Sequence, residues 1–186
     1  MTDIDTAATT QTDEETAYHQ AGQAVNCVTL FGARVVKNLG LSGGRVTDWK
    51  FETYSRLPVP LSCRPPSHKR GEDRKPIEVE GIVDAHGILT YSGSAAVYMH
   101  YRDQGRAEAF DYQNDHLGTR EALAKLASSI GVERPADKFY ETYWSEASRL
   151  LTADWNAVER VADGLLTLRS LNGNRIDALV LGEELQ

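Results

Sequence analysis

The chain has little of what staples or anchors a fold. Two cysteines, Cys27 and Cys63, occur in 186 residues. They make no disulfide framework, and a reduced, cytoplasmic compartment is expected. No apolar run approaches the roughly 18 residues a membrane span needs, so no membrane partner is expected. The first fifteen or so residues are acidic and Thr-rich, without the basic start and apolar stretch of a secretory signal. No G-x-x-x-x-G-K-[ST] loop is present, and no ATP is expected. Excess basic charge is also missing. Lys and Arg number 20 against 27 Asp and Glu, for a net charge of −7. That balance disfavours a phosphate-tracking surface, so no nucleic-acid partner is expected.

What is present suits a globular domain. Hydrophobic residues are 41% and charged residues 25% of the chain, enough apolar surface for a real core. Residues 1–13 read as a disordered acidic tail, and 14–186 as a single domain. A helix is predicted from near Thr12 or Asp13, either of which can cap it. Ala17, Ala21, Ala24, Val25 and Val28 recur at helical spacing up to about Phe31. Arg34–Leu39 and Arg45–Phe51 read as strands of a hairpin around Gly40, Gly43 and Gly44. Five of the six prolines fall at Pro58, Pro60, Pro65, Pro66 and Pro76. With Arg64, Lys69, Arg70, Arg74 and Lys75 they make 58–76 a long, basic, Pro-rich loop. Helices follow over Ile82–Gln104, with a possible break at Gly87, and over Asn114–Ser129. Three more start near Pro135, Asp154 and Asn174.

The chemistry-bearing stretch is Ala17-Tyr18-His19-Gln20-Ala21-Gly22-Gln23-Ala24-Val25. In an H-E-x-x-H helix, two histidines one turn apart face one zinc ion, and the glutamate between them is the general base. His19 holds the first position, Gln20 the glutamate position and Gln23 the second histidine position. With its flanks, this stretch resembles the zinc helix of the FtsH-type zinc metallopeptidases. The resemblance continues in order along the chain. Ala33–Phe51 is similar to the family's short strand region, and Ser92-Gly93-Ser94-Ala95-Ala96 to its Gly-Gly-x-Ala-Ala helix. Gln113-Asn114-Asp115-His116-Leu117 is similar to the element that supplies an aspartate ligand, which would make Asp115 the third ligand. Tyr143 to Leu151, Ala157–Leu166 and Leu171–Ile176 are similar to its closing helices.

The departures carry the functional expectation. A neutral glutamine cannot take a proton from water, so Gln20 removes the base. A Gln carbonyl is also a poor zinc ligand, which leaves His19 and Asp115 where a catalytic site normally has three protein ligands. Cys27 lies ~12 Å along the helix from His19, too far for one ion. His116 points away from Asp115 on its helix, whereas His68 or His86 would have to approach from the loop. Glutamine at both position 20 and position 23 fits a naturally degenerate site better than an engineered trap, which would leave the metal in place.

The simpler readings stand beside these. His19, Gln20, Gln23 and Asn26 would form the polar face of an amphipathic helix. Asn114 and Asp115 would cap a helix start. Gly22 and Gly93 would permit close helix packing, and Phe139, Tyr140, Tyr143, Trp144 and Trp155 would be core. The expectation is an α-rich α+β domain, zincin-like, with a small hairpin or sheet. It would be a pseudopeptidase with a vestigial His19, Gln23 and Asp115 site, no catalytic residue and no resident metal. It would bind a polypeptide or protein partner as a monomer or small homo-oligomer. The alternatives are a metal-dependent peptidase or hydrolase that holds zinc through a non-standard ligand set, and a structural or assembly protein that uses only its surface.

Overall fold

Neither proline nor glycine occurs before Gly22, and acidic residues crowd the start of the chain. Both favour a helix N-terminus there. In the computed structural model, which describes residues 3–32, 35–41, 52–53, 79–110 and 136–182 with 124 and 128 as single helical positions, helix α1 spans Asp3–Phe31. It starts upstream of the capping signal at Thr12–Asp13, inside the segment read as a tail. Gly32, at φ 89°, ends it by bonding its N–H to the Val28 carbonyl at 2.7 Å. A left-handed glycine is the usual device at that place.

Strand β1 (Val36–Gly40) is the middle of a three-stranded antiparallel sheet, between β2 (Glu52–Thr53) and β3 (Ser170–Asn172). Its register sets Asn38, Leu39 and Gly40 opposite Asn172, Leu171 and Ser170, and Val36 and Asn38 opposite Thr53 and Glu52. The first predicted strand is met and pairs antiparallel with a strand that follows it, but β2 begins just past the predicted Arg45–Phe51 strand, and two further differences stand out. Gly40 is the last strand residue rather than part of the turn, and β3 adds a third strand from the far end of the chain. Residues 42–51, which contain the whole of the second predicted strand, lie outside the described residues.

Helix α2 (Val79–Asp103) runs unbroken through Gly87. A Cβ at Gly87 would lie 2.3 Å from the ring of Tyr143, so this glycine serves a close approach rather than a break. Helix α3 (Ala136–Ala153) follows Pro135, and α4 (Trp155–Leu168) follows Asp154. Arg169 closes α4 in the left-handed region at φ 62°. Asn172 then caps α5 (Gly173–Leu181), its side chain accepting from the Arg175 N–H at 3.0 Å. The predicted Asn114–Ser129 helix and the 58–76 loop lie outside the described residues.

The result is a predominantly helical domain with a small antiparallel sheet. Helix α1 lies at its centre, packed mainly on α2 and α4, while α2 also packs on α3. Ala17, Ala21, Ala24 and Val25 of α1 are buried against Tyr91, Ala95 and Ala96 of α2 and Val158, Val161 and Leu165 of α4, within one cluster. Tyr143 is buried as predicted, and Trp144 and Trp155 are partly buried against the core. The side chains of Phe139 and Tyr140 lie outside the described set. No helix among the described residues is long and apolar enough to cross a membrane.

Candidate functional site at the crossing of two helices and a strand

Helices α1 and α2 approach so closely that side chains must be absent at the contact. A Cβ at Gly22 would lie 2.5 Å from both the Ala96 Cβ and the Ser92 carbonyl oxygen. One turn earlier on α1, the His19 ring lies flat on Gly93, where a Cβ would come within 2.3 Å of Cε1 and 2.4 Å of Nε2. The packing role expected for both glycines is therefore met, and Gly93 also fixes where the imidazole can sit. His19 keeps part of its surface exposed, but burial against α2 lowers its pKa from 6.5 to about 4. The ring is neutral at pH 7.

Gln20 leaves this face. It is completely buried, and its amide pairs with the backbone of a single residue. Nε2 donates to the Gly40 carbonyl at 2.9 Å, and Oε1 accepts from the Gly40 N–H at 3.2 Å. The strand register explains why Gly40 is open to it. The Leu41 N–H bonds to the Arg169 carbonyl at 2.8 Å, so alternate residues Leu39 and Leu41 point their polar groups at β3. Those of Gly40 point to the opposite side, and there they meet Gln20. Both polar atoms of the Gln20 amide are therefore engaged with β1.

Gln23 is half-buried on α1, one turn from His19 and so on the same side of the helix. Asp115, His116 and His68 lie outside the described residues, as does the side chain of His86. Among the described residues, no three His, Cys, Asp or Glu side chains converge to hold a metal ion. Cys27 is buried, and burial pushes its thiol up to about 12, so it is a packed thiol rather than a ligand.

Asn26 is not on a solvated polar face. It is completely buried where three helices meet. Its Nδ2 donates to Ser92 Oγ at 2.7 Å and to the Ala147 carbonyl at 3.3 Å, while the Ser92 hydroxyl donates to the Ile88 carbonyl at 2.6 Å.

Away from the motif, the middle of α1 is tied down by consecutive acids. Asp13 pairs with Arg169 at 2.7 Å, Glu14 lies 3.1 Å from His100 Nε2, and Glu15 accepts from the Tyr101 hydroxyl. Tyr18 stacks on His100 with ring centroids 3.6 Å apart. Burial, then the charges of Asp163, Glu159, Glu14 and Asp103, push the Tyr18 hydroxyl up to about 12.

Sequence reasoning placed His19, Gln20 and Gln23 on one helix and missed Gly40 as the partner of Gln20. The glycine itself was the only available signal, and its neighbours Gly43 and Gly44 made it read as a turn. No known protein-family model matches the chain, and none of the curated proteins does.

Proposed function

We propose that the chain is a catalytically inactive, metallopeptidase-like domain of the FtsH type, with a zincin-like helical scaffold, which binds a polypeptide or protein partner without cleaving it. The observation that carries this reading is the Gln20 pair with Gly40. A general base needs a lone pair of suitable basicity aimed at a water molecule. The residue at that position has a neutral amide with both its polar atoms committed to the backbone of β1. Gln23 offers no imidazole, and His19 is held neutral against Gly93 with one ligand neighbour lost.

Metal analysis tests this directly. The purified protein is expected to carry no stoichiometric zinc after dialysis and to leave casein intact. Gln23→His, which leaves the Gln20 pair untouched, is expected to create a zinc site with His19 and Asp115. Zinc retained by the wild-type protein, with casein cleavage lost in His19→Ala, would overturn the reading in favour of a metal-dependent hydrolase. A folded Gln23→His variant that binds zinc no better than the wild type would undo the assignment of Asp115 as the third ligand.

A further inference from the structure

The Gln20 side chain does at Gly40 what a neighbouring strand would do. In an antiparallel ladder, every second residue of an added strand gives its N–H to a carbonyl and takes an N–H from the same facing residue. Gln20 Nε2 and Oε1 make that pair of bonds to Gly40 at 2.9 and 3.2 Å. The side chain is buried and comes from a helix rather than a strand. On the same side of β1, Asn38 has a strand partner in Glu52. Two positions further along, the partner of Gly40 is a primary amide, the nearest side-chain analogue of a peptide group.

We propose that Gln20 is a built-in plug on a strand-pairing position, and that the ligand it excludes is an extended polypeptide backbone. The site would be the Gly40 N–H and carbonyl, with the space released by withdrawal of Gln20. Recognition there is by main-chain hydrogen bonds, so the ligand class is set by conformation rather than by side-chain identity. This rests on the polypeptide-binding reading above and adds a device to it. The domain holds its own amide in the slot, and a peptide must displace that amide to pair with β1.

The test compares the wild-type protein with Gln20→Ala and Gln20→Met. Alanine removes the amide and clears the space. Methionine removes the amide but keeps the space filled, and it preserves the fold if alanine does not. Amide hydrogen exchange at Gly40 is expected to rise at least tenfold in both variants, with Leu39, paired to Leu171, unchanged. The probe is a blocked octapeptide of alternating valine and threonine with a lysine at each end. It is expected to bind Gln20→Ala at least tenfold more tightly than the wild type, shifting the Gly40 amide resonance, and to gain nothing on Gln20→Met.

Unchanged Gly40 exchange in a folded Gln20→Met variant would overturn the proposal. So would a peptide that leaves Gly40 unmoved in folded Gln20→Ala. Equal binding by all three proteins away from Gly40 would remove the plug while leaving a polypeptide-binding domain. Zinc-dependent cleavage of casein by the wild type would instead remove the functional reading, whatever Gly40 does.

Discussion

A carboxylate at position 20 would meet the Gly40 carbonyl with the wrong charge and no hydrogen to give. Burial and that oxygen would raise its folded pKa above the ~4.3 of an exposed glutamate. Only the protonated acid can still donate to Gly40. Gln20→Glu is therefore expected to approach wild-type stability below about pH 4, where folded and unfolded states are both protonated. It then loses stability as pH rises toward the raised pKa, ending about 2–4 kcal/mol below the wild type at neutral pH. Urea midpoints of variant and wild type from pH 4 to 8 check this, and a pH-independent difference would count against it. His19 has the opposite sign. Its folded pKa, about 4, lies below the ordinary 6.5, so the unfolded chain takes the proton first. Its contribution is whole above pH 6.5 and is lost as pH falls toward 4. The full shift would carry about 3 kcal/mol, but the partly exposed ring warrants about 1–2 kcal/mol. His19→Gln should flatten that part of the stability profile between pH 7 and 4.5.

Among the elements, glycines separate two kinds of contact. Gly→Ala inside a helix gains up to about 1 kcal/mol of propensity. At Gly22 the new methyl would collide with the Ser92 carbonyl and the Ala96 Cβ, each 2.5 Å away. Neither can swing aside, and overpacking costs about 1–3 kcal/mol, so Gly22→Ala is expected to destabilise by about 1–2 kcal/mol net. At Gly164 the nearest atoms are the side-chain tips of Leu179 at 3.0 Å and Leu171 at 3.4 Å, which can move. Gly164→Ala is expected to be neutral or to stabilise by up to about 1 kcal/mol. Denaturant unfolding of the two variants decides it, and a stabilised Gly22→Ala would mean the helices can part. The same elements mark how far sequence reasoning reaches. Tyr143, Ala147 and Leu151 of α3, and Val158, Val161 and Leu165 of α4, recur at helical spacing and are buried. Strand β3 was illegible because Ser170-Leu171-Asn172 is too short to show a period. Gly87 misled because a glycine marks a close contact as readily as a break. Of the candidate site, the shared helix of His19, Gln20 and Gln23 was legible. The Gln20 bond to Gly40 was not, because it crosses elements and no local pattern encodes it.

On the scale of the whole molecule, α1 is the element on which the other four helices and β1 pack among the described residues. Its acids reach Arg169, His100 and Tyr101, its Gln20 holds β1, and its Asn26 joins α2 and α3. The Asn26 junction tests whether polarity or shape fastens these helices. Its Nδ2 makes two hydrogen bonds, but Oδ1 is buried with no hydrogen-bond partner among the described residues. Leucine has nearly the same shape and removes both the bonds and that unsatisfied oxygen. Ser92 would keep its bond to the Ile88 carbonyl. The lost bonds contribute about 1 kcal/mol each, and the unsatisfied oxygen costs about 1–3 kcal/mol. Asn26→Leu is therefore expected within about 1 kcal/mol of the wild type. Asn26→Asp also keeps the shape but turns a carboxylate oxygen toward the Ala147 carbonyl, and no Lys or Arg is buried among the described residues to pair with it. A buried, unpaired charge of that kind costs about 3–5 kcal/mol at neutral pH. Protonation would recover much of that loss as pH falls toward 4. Chemical denaturation of both variants at two pH values separates the cases. Equal, pH-independent losses would mean that the fit of the side chain, not its amide, holds the three helices together.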